Sequence, residues 1–464
     1  MASAGALYSN WLTDGQVESL GRAVGDSTPV AAARAEALRA FRELPLEPNA
    51  LFRGYSNIAG AELKDIDLTT RGPPVGLPRA DASTLRIVHD ASGTRVELPD
   101  ALREAGVTVE TLPDLWTANG RAASPPPHSV VAPDKMTSYA LATVNRAVRL
   151  TVPDRCTVPV RVHDLTVLSR PNEGISVWRE LHSGSQSKLL YSEELFSTAD
   201  AETTGQRLYA STVDLDLGER SSLHYLTLHA PDARAVSLYQ RHARTGAGSY
   251  LAWVWAGLGG FRTRSKNLSE LAGNGSALDD LQAIYGSHEQ AYDSGVQITH
   301  IGTDTHGQSI TRSLFKDKAQ GVSRGLVRIE KDARKTLSYL AEYSMLLSKG
   351  ARSDAMPDLE ILCRDVKATH SSSVAPVDPE KIFYLESRGI NSTDAVRMIG
   401  EGFLSNVLDR APIVSLRDLL YPILAARWDG HPVLWDAAKP PSLPPLQVSD
   451  ARAGEEWRFD AKLR

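Results

Sequence analysis

Between about residues 155 and 370 the chain alternates in short runs. Val213, Leu215 and Leu217 are apolar, with Asp214 and Asp216 between them. That period of two places one side of a strand inward and the other outward. RAVSLYQRHA, SYLAWVW, VQITHIG and GLVRIE repeat the habit. The joints between runs look alike. Gly218-Glu-Arg-Ser, Asp232-Ala-Arg-Ala and Gly246-Ala-Gly-Ser start fourteen residues apart, and Gly273-Asn-Gly-Ser follows after twenty-seven. Asp332-Ala-Arg-Lys and Gly350-Ala-Arg-Ser precede later runs. Many short strands with small-residue turns predict a β-solenoid, a sandwich or a propeller, and the loose, length-variable repeat favours a β-helix.

On either side the period turns helical. Residues 29–44 read as an amphipathic helix with Leu38 and Phe41 on one face and Pro45 as its stop. Residues 80–120 mix strand-like LRIVHD and TRVEL with a helical piece. The Pro- and Ser-rich stretch 121–131 reads as a linker or surface loop. Asp378-Pro379 is an N-cap followed by proline, and Gly389 stands where a C′ glycine would, framing a short helix. Val396, Ile399, Phe403 and Val407 then form one face of a second helix, ending before Pro412. Ser415 to Asp418 resembles a capping box opening a third. The division expected is an N-terminal mixed region 1–131, a β core 132–377, a helical module 378–435 and an extended tail 436–464.

Composition narrows the function. The chain has 464 residues, 42% hydrophobic and 23% charged, with a formal net charge of −5. These are ordinary values for a soluble globular protein. No long basic block points to nucleic acid. The most apolar run, Tyr250 to Phe261, is shorter than the roughly twenty residues of a membrane span. The first thirty residues lack a signal-peptide core, so the expectation is a cytoplasmic protein without a membrane partner. Two cysteines, Cys156 and Cys363, are too few for a disulfide scaffold or a thiolate zinc module.

The scan for catalytic motifs is negative. GxxxxGK[ST], GxSxG and HExxH are all missing, and the Gly246 and Gly273 turns lack the third glycine of a dinucleotide fingerprint. His224 with His229, or His300 with His306, could hold a metal only if strands brought them together. Asp279 and Asp280 are adjacent on a strand and should point to opposite faces, which spoils them as an acid–base pair. Trp253 and Trp255 share a strand face, as a sugar platform or a core stripe. The densest constellation is Glu360, Cys363 and His370, all possible iron or thiol-chemistry ligands. A buried Cys and a capping His remain the plain alternative.

PDLEILCRDVKATHSS followed by KIFYLESRGI resembles the closing segment of the SufB/SufD family, the scaffold proteins of SUF iron–sulfur cluster assembly. His300, Gly307-Gln-Ser and Gly325-Leu-Val-Arg-Ile fit the same pattern upstream, and the likeness covers roughly 175–425. It implies a right-handed parallel β-helix core between helical regions. It also implies a non-catalytic subunit in complex with a SufB-like scaffold chain and a SufC-like ABC-type ATPase. SufB-like members carry a cysteine before the MLL run and a Glu after the closing His. Here Glu342 takes the cysteine position and Ser371 follows His370, so the branch resembled is SufD-like. The resemblance makes His370 a metal ligand, with Cys363 beside it, for transient iron or a nascent cluster at a heterodimer interface. No stably bound cofactor is implied. Arg388, Gly389, Ile390 and Phe403 become the contacts to the ATPase. The alternatives are a SufB-like homodimeric scaffold and, from another class, a carbohydrate-active β-helix enzyme.

Overall fold

The computed structural model describes residues 8–47, 58–69, 71–77, 82–112, 114–116, 134–198, 205–411, 413–414, 416–436 and 447–448. The stretch 121–131 and Ser415 lie outside them, as does the tail apart from 436 and 447–448. The chain opens with α1 Asp14–Val24, α2 Thr28–Glu43, β1 Leu85–Asp90, β2 Gly93–Glu97, α3 Asp100–Glu104, β3 Thr108–Thr111 and α4 Lys135–Ala142. The strands then follow one another: β4 Arg146–Val152, β5 Val160–Leu168, β6 Gly174–Ser183, β7 Lys188–Ser197 and β8 Arg207–Leu217. Next come β9 Ser222–His229, β10 Ala235–Thr245, β11 Tyr250–Gly257, β12 Arg262–Leu271 and β13 Ala277–Gly286. The last of the run are β14 Ala291–His300, β15 His306–Phe315, β16 Gln320–Ile329, β17 Thr336–Leu346, β18 Arg352–Ile361 and β19 Val366–Pro376. They lead into α5 Pro379–Glu386, α6 Ser392–Leu408, β20 Ile413–Val414 and α7 Leu416–Trp428, with β21 at Gln447–Val448.

From β4 to β19 the odd strands form one sheet and the even strands the other. Pairing is parallel and skips one strand, as in β12 with β14 and β14 with β16. Each turn therefore gives one strand to each sheet, which is a parallel β-solenoid. Arg262 lies beside Ala291 and Ala291 beside Gln320, so these turns are 29 residues long. The fourteen-residue spacing of the joints is half a turn: Gly218 and Gly246 stack on one edge, with Asp232 between them in sequence on the other.

The stacked edge explains the small residues. A Cβ at Gly218 would lie 2.5 Å from the Ser185 nitrogen, and one at Gly302 would lie 2.7 Å from the Gly273 carbonyl carbon. Beside these glycines Arg155, Gln186, Arg220, Gly248, Gly275, Asp304 and Lys335 are left-handed, with φ between 53° and 68°. Each donates its N–H to a carbonyl of the next turn at 2.6–2.9 Å, which offsets the strain at the non-glycine positions.

The two ends differ. At the start, β2 folds back antiparallel on β1, and β3 antiparallel on β4. At the finish, β18 and β19 are the outermost strands; most of β19 is exposed, and β18 has no buried residue.

Helices cover both outer faces. The α1, α2 and α4 side chains pack on Leu208, Ala210, Val236 and Leu238 of the even sheet. Leu404, Val407 and Leu408 of α6 and the apolar face of α7 pack on Leu281, Ile310 and Leu314 of the odd sheet. The deepest positions of α6 are Ala395, Gly400, Leu404, Val407 and Leu408, a stripe rotated slightly from the expected one. The small residues decide this, because Gly400 sits against Trp428 and Leu314. Val396 and Phe403 are left half-buried at its flank.

Candidate functional site

Two neighbouring features define the site: a polar column inside the solenoid and the uncapped end it approaches. The column begins at His89 and Asp164. Arg179 of β6 reaches across to Asp164 of β5 through Nε at 2.6 Å and Nη2 at 2.9 Å, and donates to Ser211 at 3.1 Å. Glu193 lies 3.5 Å from Arg179 and accepts from Tyr209 at 2.7 Å, Tyr225 at 3.0 Å and Arg241 at 3.2 Å. Arg241 donates to Asn267, Asn267 to Asp280, and the Gln282 amide to the other oxygen of Asp280. Ser294 donates to Gln282. Burial opposes charge on Asp164, yet Arg179 and His89 hold its carboxyl well below the usual carboxylate range. Trp253 and Trp255 surround the Arg241 guanidinium together with Tyr225 and Tyr239. They are buried core, with no face free for a sugar.

Strand register carries the column to the end. Gln282 lies beside Thr311, Thr311 beside Glu342 and Glu342 beside Ser372. Leu340 lies beside His370. Parallel neighbours share a sheet face, and so do residues two apart on one strand. Glu342 and His370 therefore occupy one face of adjoining strands. His370 is exposed on β19. Glu342 is 3% exposed. Burial raises its carboxyl to about 7, opposed by the Met356 N–H it accepts from and by the Arg324 charge. Cys363, in the turn before β19, packs with Val327, Ile329, Ala333 and Leu340. Glu360 points elsewhere and pairs with Arg328 at 2.9 Å. The sequence constellation is thus divided: Cys363 and His370 both adjoin the Leu340 region, Glu360 does not. Glu342, which spacing did not single out as a ligand, shares a strand face with His370 by register.

The other candidates are separate. His229 binds the Tyr239 hydroxyl at 2.8 Å, His300 binds Thr305 at 2.8 Å, and His224 meets the Tyr250 ring edge-on. Asp279 pairs with Tyr250 and Gln308 on one face, and Asp280 with Asn267 and Gln282 on the other. Among the described residues no group of three or more His, Cys, Asp or Glu is placed to hold a metal ion. No helix among them is long and apolar enough to cross a membrane.

Burial holds the His229 and His300 imidazoles at about 3. The unfolded chain takes up those protons near 6.5. Below that pH it binds more protons than the native state, so stability falls from about pH 6.5 towards 3. His229→Gln with His300→Gln should flatten the dependence of the urea midpoint between pH 7.5 and 5.5. An unchanged slope would show that both rings are protonated in the fold.

Beyond the solenoid, α5 has no buried residue, and Phe383 and Tyr384 are 71% and 56% exposed. Arg388 lies over the Tyr384 ring at 5.1 Å. Gly389, at φ +86°, turns the chain, and the Ile390 N–H bonds back to Leu385. Phe403 instead packs on the odd sheet beneath Arg312, 4.8 Å from its ring centre. A helix with two large aromatic side chains this exposed among the described residues suits a partner. In the sequence Phe383 and Tyr384 stand within the short helix and the KIFYLESRGI motif, where nothing local marks them as exposed.

Comparison with known proteins gives this geometry a setting. Residues 181–403 match the SufBD core domain of SUF system FeS cluster assembly. The iron–sulfur cluster assembly protein SufD of Bacillus subtilis is 28% identical over 291 residues, 62% of this chain and 66% of that protein. An iron–sulfur cluster assembly SufBD family protein of Mycobacterium tuberculosis is 27% identical over 349 residues, 72% of this chain and 83% of its own. A second from that organism is 24% identical over 206 residues, of which the match spans only 24%. The chain therefore matches just under two thirds of the Bacillus protein and about a quarter of the last.

Proposed function

As a SufBD-family chain, with the core domain of that family and a SufD-like sequence, we propose that it is the SufD-like, non-catalytic scaffold subunit of a cytoplasmic SufBCD-type complex. The observation that carries this is the asymmetry of the solenoid. Both ends finish in edge strands, but β2 and β3 at the start are only 5 and 4 residues long, whereas β18 and β19 at the finish present edges 10 and 11 residues long, with His370 on the last rung. Long unprotected edges are a liability in a lone chain and an advantage for docking on another sheet. A SufB-like partner covers this end. His370 supplies an imidazole to iron or a nascent cluster passing there as cargo, while the partner provides most of the sulfur ligands. The 378–435 module meets the SufC-like ATPase through Phe383, Tyr384 and the Arg388–Ile390 turn, and Phe403 anchors α6 behind them.

The test is His370→Ala in a complex rebuilt from this chain, its SufB-like partner and the ATPase. Cluster yield should fall several-fold while the complex still elutes as one species. Undiminished yield would remove the ligand role. Recovery of the chain without an ATPase, together with polysaccharide lyase activity, would overturn the scaffold reading in favour of a carbohydrate-active enzyme.

A further inference from the structure

We propose that Glu342 is a second ligand on this chain for the iron handled at the uncapped end, binding it jointly with His370. The inference rests on the scaffold reading above and extends it to a residue buried on the strand next to β19.

The geometry comes from register. Leu340 faces His370 and Glu342 faces Ser372, so Glu342 and His370 are diagonal neighbours on the same face. Such pairs are roughly 7–8 Å apart at Cα, within reach of two long side chains meeting at one atom. The second observation is independent of register. Glu342 is 3% exposed, and its Oε2 has no hydrogen-bond partner among the described residues. The carboxyl also accepts from the Met356 N–H of β18, which fixes its direction. Among the described residues none of the nearby side-chain donors reaches this oxygen, although the Arg324 Nε is also without a partner. Arg324 gives its two terminal nitrogens to Glu47 and Asp293, and Ser353 gives its hydroxyl to Ser344. A buried carboxylate oxygen left unpaired is costly, and its retention calls for a ligand. One carboxylate oxygen and one neutral imidazole are a fitting pair for Fe(II), with the remaining positions open to water or to a partner's groups. The inner end of the site then continues through Thr311 and Gln282 into the polar column, which keeps it hydrated or hydrogen-bonded rather than greasy.

The probe is the metal alone. Co(II), as a spectroscopic stand-in for Fe(II), is titrated anaerobically into the purified full chain and into Glu342→Gln, His370→Ala and the double variant. Each single change should weaken binding about tenfold or more and alter the visible Co(II) bands, and the double variant should be little worse than either. Glu342→Gln keeps the shape, so its urea midpoint should be unchanged or higher. Wild-type binding in Glu342→Gln with weakened binding in His370→Ala overturns Glu342 while leaving His370 in place. Unaltered binding in both overturns the ligand role of both, and the cluster assay above then decides the scaffold reading separately. Should Glu342→Gln fail to fold, Glu342→Cys decides. A near-ultraviolet thiolate-to-Co(II) band that appears with Glu342→Cys and persists when Cys363→Ala is added places the metal at position 342, and its absence overturns the proposal.

Discussion

Arg179→Met is expected to lower the free energy of unfolding by about 3–5 kcal/mol, the cost of breaking a buried ion pair from one side. Arg179 is fully buried between the sheets, with Asp164 on one side and Glu193 on the other. In the native state Arg179 and Arg241 together balance Asp164 and Glu193. Removing Arg179 leaves two carboxylates facing a single guanidinium, with no water to replace the lost charge. Methionine fills most of the volume, so the change reads electrostatics rather than a cavity. Arg179→Met combined with Asp164→Leu removes one charge of each sign and should recover most of the loss. The measurement is the guanidinium chloride midpoint by circular dichroism. Hydrogen exchange should show the loosening concentrated in β5 to β8, because solenoid turns contact mainly their neighbours. A loss under about 1 kcal/mol, typical of an exposed pair, would mean that the column is open to water.

Gly273→Val should have a still larger effect, beyond the ~4 kcal/mol that marks exceptional substitutions. Its Cβ would fall on the backbone of Gly246 and Ala247 in the turn before. Backbone cannot swing aside as a side chain can. The turn is also pinned, with Gly246 N–H bonded to Leu217 O at 2.8 Å and Gly273 N–H to Thr245 O at 2.9 Å. The expected outcome is loss of folded protein, seen as insolubility or a missing cooperative melt. Gly275→Asn is the matched control. That position has open space around it and needs only its φ of +68°, which asparagine adopts at modest cost. Equal behaviour of the two variants would overturn the account of the stacked edge.

These two sites show where sequence reading stops. The joint at Gly273 was visible as one of a series, and its spacing implied a solenoid. The reason that glycine is required was not visible, because the clash is with a residue one full turn away. Arg179 carried no signal at all. In RAVSLYQRHA the period of two is plain, but Arg241 and Tyr239 are buried on one face while Val236 and Leu238 are buried on the other. Helices over the outer faces bury both sides, so alternation no longer tells core from solvent. For the Asp279-Asp280 pair local reasoning suffices, because opposite faces follow from adjacency alone, whereas the separation of the histidines is a tertiary outcome.

What the sequence determined by itself is therefore what depends on near neighbours: strands, turns, caps such as Asp378, and the closing motifs that resemble the SufBD core. What the tertiary structure alone decided is which distant residues meet. That Glu342 shares a face with His370 and that Glu360 lies beside Arg328 both depend on register between turns about thirty residues apart. Turn length varies along this chain, and a change of one residue would move a side chain to the opposite face. Composition and local periodicity do not encode that offset, and the stacking of one turn on the next does.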